Sequence, residues 1–198
     1  MVREPHPVVI VPGLRGHVED HWQTRLAAKL PHAVVVPSFG RAKRDLTGRV
    51  ADLHHVIQQA GAPVTIVAHS AGVLTTLHWA RQHDLPVRGA LLATPPDLAR
   101  PLGPEYPTLE ELEESGWLPI PTAPLDFPSI VAASTNDPLS DFENVRSLAE
   151  AWGSQFIDVG PVGHLNPASG YGDWPGAEAL LHVLRGMTPA PHRAGHVA

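Results

Sequence analysis

Val64-Thr65-Ile66-Val67-Ala68-His69-Ser70-Ala71-Gly72 is the stretch whose reading decides the fold. A short β-branched run ends in a serine held between small residues, and a helical pattern follows at once. This is the grammar of a nucleophile elbow, small-x-Ser-x-Gly, in which a strand turns so sharply into a helix that the serine backbone is strained. Bulky side chains two positions either side of the serine would clash, and here those positions are Ala68 and Gly72. Ala68 departs from the full pattern, which has glycine there. An ordinary strand–helix turn with Ser70 as N-cap fits the five residues equally well.

Outward from this stretch, short apolar runs alternate with longer helical patterns. Strands are predicted at Val8–Val11, Ala33–Val36, Val64–Val67, Ala90–Ala93, Ser129–Ala133 and Gln155–Val159. Their length and β-branched content predict burial on both faces. Helices are predicted at His17–Leu30, Asp45–Gln59, Ala71–Gln82, Phe142–Trp152 and Gly176–Arg185. Such alternation predicts an α/β fold, a three-layer α/β/α arrangement around a mostly parallel sheet. The proline-rich segment Thr94–Pro128 breaks the pattern; Leu109 and Leu112 within it suit a short amphipathic helix beside the site. Residues 1–186 read as one domain, and residues 187–198, which lack periodicity, as a disordered tail.

Composition excludes several classes of function. The 198 residues are 43% hydrophobic and 17% charged, which suits a folded domain with a sizeable core. The net charge of −6, with no basic stripe, argues against nucleic-acid binding. There is no cysteine, hence no disulfide and no thiolate nucleophile or ligand. No apolar run approaches the ~20 residues that span a bilayer, so no membrane partner is expected. Met1–Pro7 lacks a signal-peptide core, and a cytoplasmic location is expected. Among the 13 histidines, His17 and His21 have a spacing that can place two imidazoles on one helix face. No third ligand follows them, so no metal is expected.

In an open parallel sheet, ligands bind at the carboxyl ends of the strands. After the first strand comes Pro12-Gly13-Leu14-Arg15-Gly16, where the N–H of Leu14 can serve as an oxyanion donor beside that of Ala71. Ser70 follows the third strand, Asp137 the fifth and His164 the sixth. The chain order Ser, Asp, His is that of an α/β-hydrolase. A serine hydroxyl needs a base to become a nucleophile, histidine supplies it, and a carboxylate fixes the imidazole tautomer. Asp141 is the competing acid, but its position suits the start of the following helix.

These pieces carry a family resemblance. Val11-Pro12-Gly13-Leu14, Asp20-His21-Trp22-Gln23, Ala68-His69-Ser70-Ala71-Gly72, Asn136-Asp137-Pro138 and Gly163-His164-Leu165-Asn166 resemble the small serine hydrolases related to retinoblastoma-binding protein nine, especially bacterial members. The resemblance covers about residues 7–185. It implies a compact α/β-hydrolase fold without a large lid domain, and Ser70, Asp137 and His164 as a catalytic triad. The expected activity is cleavage of a small carboxylic ester, with thioester or amide as variants, through an acyl-enzyme. No cofactor is expected: no Gly-x-Gly-x-x-Gly follows the first strand. The partner is then a small-molecule acyl substrate, with Trp22 and Trp117 as candidate pocket walls. An acyltransferase using the same triad, and a non-catalytic binding protein on a hydrolase frame, are the alternatives.

Overall fold

A computed structural model describes residues 6–37 and 44–187 of the chain. Six parallel strands form one sheet in the order β2-β1-β3-β4-β5-β6. They are β1 (Val8–Val11), β2 (Ala33–Val35), β3 (Val64–His69), β4 (Val87–Ala93), β5 (Ser129–Ala133) and β6 (Gln155–Asp158). The helices are α1 (Trp22–Lys29), α2 (Leu46–Ala60), α3 (Ala71–Gln82), α4 (Leu109–Glu114), α5 (Phe142–Ala151) and α6 (Pro175–Gly186). The tail from residue 188 onward lies outside the described residues.

Alternation of side chains along each strand divides the core in two. Val9, Val11, Ile66, Ala68, Leu92 and Val131 face α2, α3 and α5. Val8, Ile10, Val67, Leu91 and Ile130 face α1 and α6. The result is the expected three-layer fold. β1, β3 and β5 are buried throughout, as their apolar runs predict. The edge strands are not: β2 and β6 are only partly covered, and Val34 is 44% exposed. Valine content identifies a strand but not its place in the sheet, which is what decides burial on the second face.

The first helix begins at Trp22, not at His17. His21 is extended and caps α1, its Nδ1 accepting from the Gln23 N–H at 3.2 Å. The preceding turn is closed by Thr24, whose hydroxyl donates to the Val18 carbonyl at 2.7 Å. His17 therefore lies outside the helix, and its pairing with His21 at helical spacing does not arise.

Residues 94–128 pack over the carboxyl end of the sheet without forming a large lid. The short α4 is closed by a capping box between Thr108 and Glu111, and it buries Leu112. The segment is pinned at both ends. The Asp97 carboxylate accepts from the N–H groups of Ala99 and Asp141 and from the Asn144 side chain, at 2.8–3.0 Å. Trp152 donates from its indole to the Pro121 carbonyl at 2.7 Å, and its own carbonyl accepts from Leu125 at 2.9 Å. No helix among the described residues is long and apolar enough to cross a membrane.

Candidate active site

The chain starts in β1, moves outward to β2, then returns to β3 on the other side. The crevice at that reversal is where a doubly wound sheet binds its ligands. The loop after β1 and the turn after β3 meet there. Ser70 stands in that turn with φ 55° and ψ −126°, a conformation costing about 1–3 kcal/mol that only surrounding structure can hold. Gly72 shows why. A Cβ there would come within 2.8 Å of the Pro12 carbonyl oxygen and closer still to that of Val11, so the helix start can lie against β1 only with glycine. The methyl of Ala68 is instead absorbed in the core, where it is fully buried.

Ser70, His164 and Asp137 meet through hydrogen bonds. His164 Nε2 lies 2.8 Å from Ser70 Oγ. His164 Nδ1 lies 2.9 and 3.0 Å from the two carboxylate oxygens of Asp137. All three residues are buried. Asp141 is turned away: it caps α5, accepting from the N–H groups of Glu143 and Asn144.

The loops carrying these side chains are tied to one another. Asn136 Oδ1 accepts from the Gly163 N–H at 2.6 Å, and Ser134 Oγ accepts from that of Val162 at 3.2 Å. Ser169 Oγ accepts from the His164 N–H at 3.1 Å. His69 Nε2 donates to the His164 carbonyl at 2.8 Å. His21, His69 and His164 thus form a column with ring centroids 4.6 and 4.9 Å apart.

Two hollows flank Ser70. The larger, of about 140 Å³, is lined by Leu14, Arg15, His21, Tyr106, His164 and Asn166 among others. The smaller, of about 20 Å³, is apolar, and its walls include Ala71, Leu74, Leu98, Trp117 and Leu139. Leu14, Ser70 and Tyr106 border both. The N–H of Ala71 opens α3 and has no intrahelical partner, and that of Leu14 has no partner among the described residues. No group of three His, Asp or Glu placed to hold a metal occurs among the described residues.

A model of the serine hydrolase family matches residues 8–183. The chain belongs to that family. Among solved structures, a YdeN-like hydrolase from Pectobacterium atrosepticum is 30% identical, with a TM-score of 0.75 over 91% of this chain and 90% of that one. The ydeN gene product of B. subtilis is 21% identical, with a TM-score of 0.71 over 92% of this chain and all of the other. Est1E from Butyrivibrio proteoclasticus, solved with ferulic acid bound, shares the fold at 12% identity and a TM-score of 0.67, over 93% of this chain and 90% of that one. No curated protein matches the sequence significantly.

In this serine hydrolase the two tryptophans take different places. Trp22 does not line either hollow. It is 1% exposed and meets Trp174 and His69 edge-on, at centroid distances of 4.9 and 6.0 Å. Because α1 starts at Trp22 itself, the ring turns into the core beneath the site. Trp117 is equally buried, yet one face borders the smaller hollow.

Sequence reading missed Arg49 of this hydrolase. Its buried guanidinium donates to the carbonyls of Gly13 and Leu14, at 3.4 and 3.1 Å, across the loop after β1. It also left His69 and His21 without roles. Burial, reinforced by His164 and His21, holds the His69 pKa well below the ordinary range; its backbone bond opposes this only weakly. Burial, then His164, lowers that of His21 to about 4. Both are neutral when folded, and both titrate near 6.5 when unfolded. The unfolded chain therefore binds more protons as pH falls below 6.5. Their contribution is fully present above that value and is lost toward pH 4 and below, about 3 kcal/mol for His21 alone. Denaturant midpoints measured from pH 7.5 to 4.5 should fall through this window, and His21→Asn should make the fall shallower. An identical pH dependence in the variant would contradict the assignment.

Proposed function

We propose that this serine hydrolase is an esterase that cleaves a small carboxylic ester through an acyl-enzyme on a Ser70–His164–Asp137 triad. The unbroken hydrogen-bond chain from Ser70 Oγ to the Asp137 carboxylate carries the reading. His164 Nε2 takes the proton as Ser70 Oγ attacks the acyl carbon, and Asp137 stabilises the imidazolium at Nδ1. The N–H groups of Leu14 and Ala71 receive the oxyanion. His164 then returns the proton to the departing alkoxide oxygen, and water repeats the cycle on the acyl-enzyme. The decisive experiment is labelling by a fluorophosphonate probe, with the modified peptide mapped by mass spectrometry to Ser70.

The apolar hollow of about 20 Å³ has room for little more than one water-sized group. Where a chain is accommodated, each buried methylene is worth about 0.8 kcal/mol, roughly fourfold in kcat/KM. Across a series of acyl esters, kcat/KM should peak within about two to four acyl carbons and then fall. A steady rise to long-chain lipids, with activation at lipid–water interfaces, would contradict a small pocket.

Arg49 fixes the peptide that presents the Leu14 N–H. Lysine keeps the charge but lacks the fork that reaches two carbonyls at once. Arg49→Lys should lower kcat by about ten- to a hundredfold with little change in KM, because an oxyanion donor works mainly in the transition state. An unchanged kcat would remove Arg49 from this role.

A further inference from the structure

We propose that the larger hollow beside Ser70 receives an alcohol that carries its own hydrogen-bond acceptor, and that the Nε2–H of His21 is the donor that reads it. The inference rests on the esterase reading above and names the substrate class for it. Esters of plain aliphatic alcohols would leave this donor unanswered.

Direction comes from the proton. Attack forms the Ser70 Oγ–carbon bond and moves one proton to His164 Nε2; collapse breaks the bond from carbon to the alcohol oxygen, and that same proton passes to the oxygen. The departing group must therefore lie on the His164 side of the acyl carbon. Only the larger hollow is bordered by His164. The smaller hollow, bordered by Ser70, Ala71 and Leu14 but not by His164, receives the acyl remainder.

The wall of the larger hollow is rich in donors. His21 is 8% exposed and borders it. Its Nδ1 already accepts from the Gln23 N–H, so the neutral ring carries its hydrogen on Nε2. That hydrogen has no partner among the described residues, so a ligand that fills the hollow without offering an acceptor strips it of water and leaves it unanswered, which is costly. Asn166 uses its Oδ1 to hold Ser169, which leaves its NH₂ group as a donor, and the exposed Arg15 stands at the rim. A ligand oxygen with free lone pairs answers this set; a methylene does not. Burial keeps the His21 ring neutral at working pH, so the recognition is of a dipole and not of a charge.

The test uses a matched pair, 2-methoxyethyl acetate and n-butyl acetate, which differ by an ether oxygen in place of one methylene. The kcat/KM ratio of the first to the second is divided by the ratio of their hydroxide-catalysed rates, to remove intrinsic reactivity. In the unaltered protein this quotient should be about ten, as one hydrogen bond warrants. In His21→Asn it should fall toward one. Asparagine keeps the cap on α1, because its side-chain oxygen can accept from Gln23, while the Nε2–H is lost. A quotient near one in the unaltered protein overturns the proposal without any variant, and so does an unchanged quotient in His21→Asn. With fluorophosphonate labelling at Ser70 intact, either result leaves the esterase reading standing. Absence of that label from the unaltered protein would remove the esterase reading itself.

Discussion

Ser70→Ala is expected to give a folded protein that takes no fluorophosphonate label and hydrolyses no ester. The side chain is small, and its hydrogen bond to His164 Nε2 is the contact the change removes. The turn stays in place because it is held by Gly72 against the carbonyls of β1, and by the Ser70 N–H donating to the Ala93 carbonyl at 3.0 Å. Both are backbone features that alanine retains. With the nucleophile gone, kcat should fall by roughly a millionfold, to what the oxyanion donors and binding alone supply. Circular dichroism and the denaturation midpoint check that the fold is kept; mass spectrometry checks the label. Full labelling of the alanine variant would sink the assignment.

Asp137→Asn should be nearly as damaging and Asp141→Asn nearly silent in kcat. Asparagine at 137 can still accept from the Leu139 N–H, as Asp137 Oδ1 does at 2.9 Å. Its NH₂ group would then face His164 Nδ1 and force the imidazole hydrogen onto Nε2, where it can no longer accept the serine proton. In a comparable triad this wrong tautomer costs about 10⁴ in kcat, and a loss of that order is expected here. At position 141, asparagine is as good an N-cap as aspartate, so α5 should form as before. Parallel kcat measurements on the two variants decide the matter, and the reverse pattern would exchange the two roles.

The elements that position these side chains were legible because each lies at a strand end, where pattern and chemistry coincide. Val64–Val67 predicts β3, and the small residues around Ser70 predict the turn. The loop after β5 presents Asp137 next to a proline that cannot continue a strand, whereas Asp141 stands one residue before a helical run. What was not legible depends on partners distant in the chain or on a single boundary. Arg49 bonds two carbonyls, and backbone carbonyls leave no trace in a sequence. The roles of His21 and Trp22 turn on where α1 begins. A five-residue shift of that start moves one ring to the wall of the larger hollow and the other into the core. Capping by histidine is uncommon enough that the usual Ser, Thr, Asp and Asn signals do not mark it.

The pinning of residues 94–128 at Asp97 and at Trp152 gives the molecule a modular character. The reacting groups sit on a chassis made by the ends of β3, β5 and β6, cross-braced by His69, Ser134 and Asn136. Much of the proposed acyl wall, from Leu98 and Leu102 to Leu112 and Trp117, lies between the two pins, tied also by Arg100 to the Pro138 carbonyl and by Trp117 to the Arg44 carbonyl and His78. Positions between these ties that bond nothing else in the chain can therefore vary without moving a reacting atom. On the esterase reading, diversification of acyl preference, in nature or in a library, has an address in this fold: the untied positions between Ala99 and Ile120.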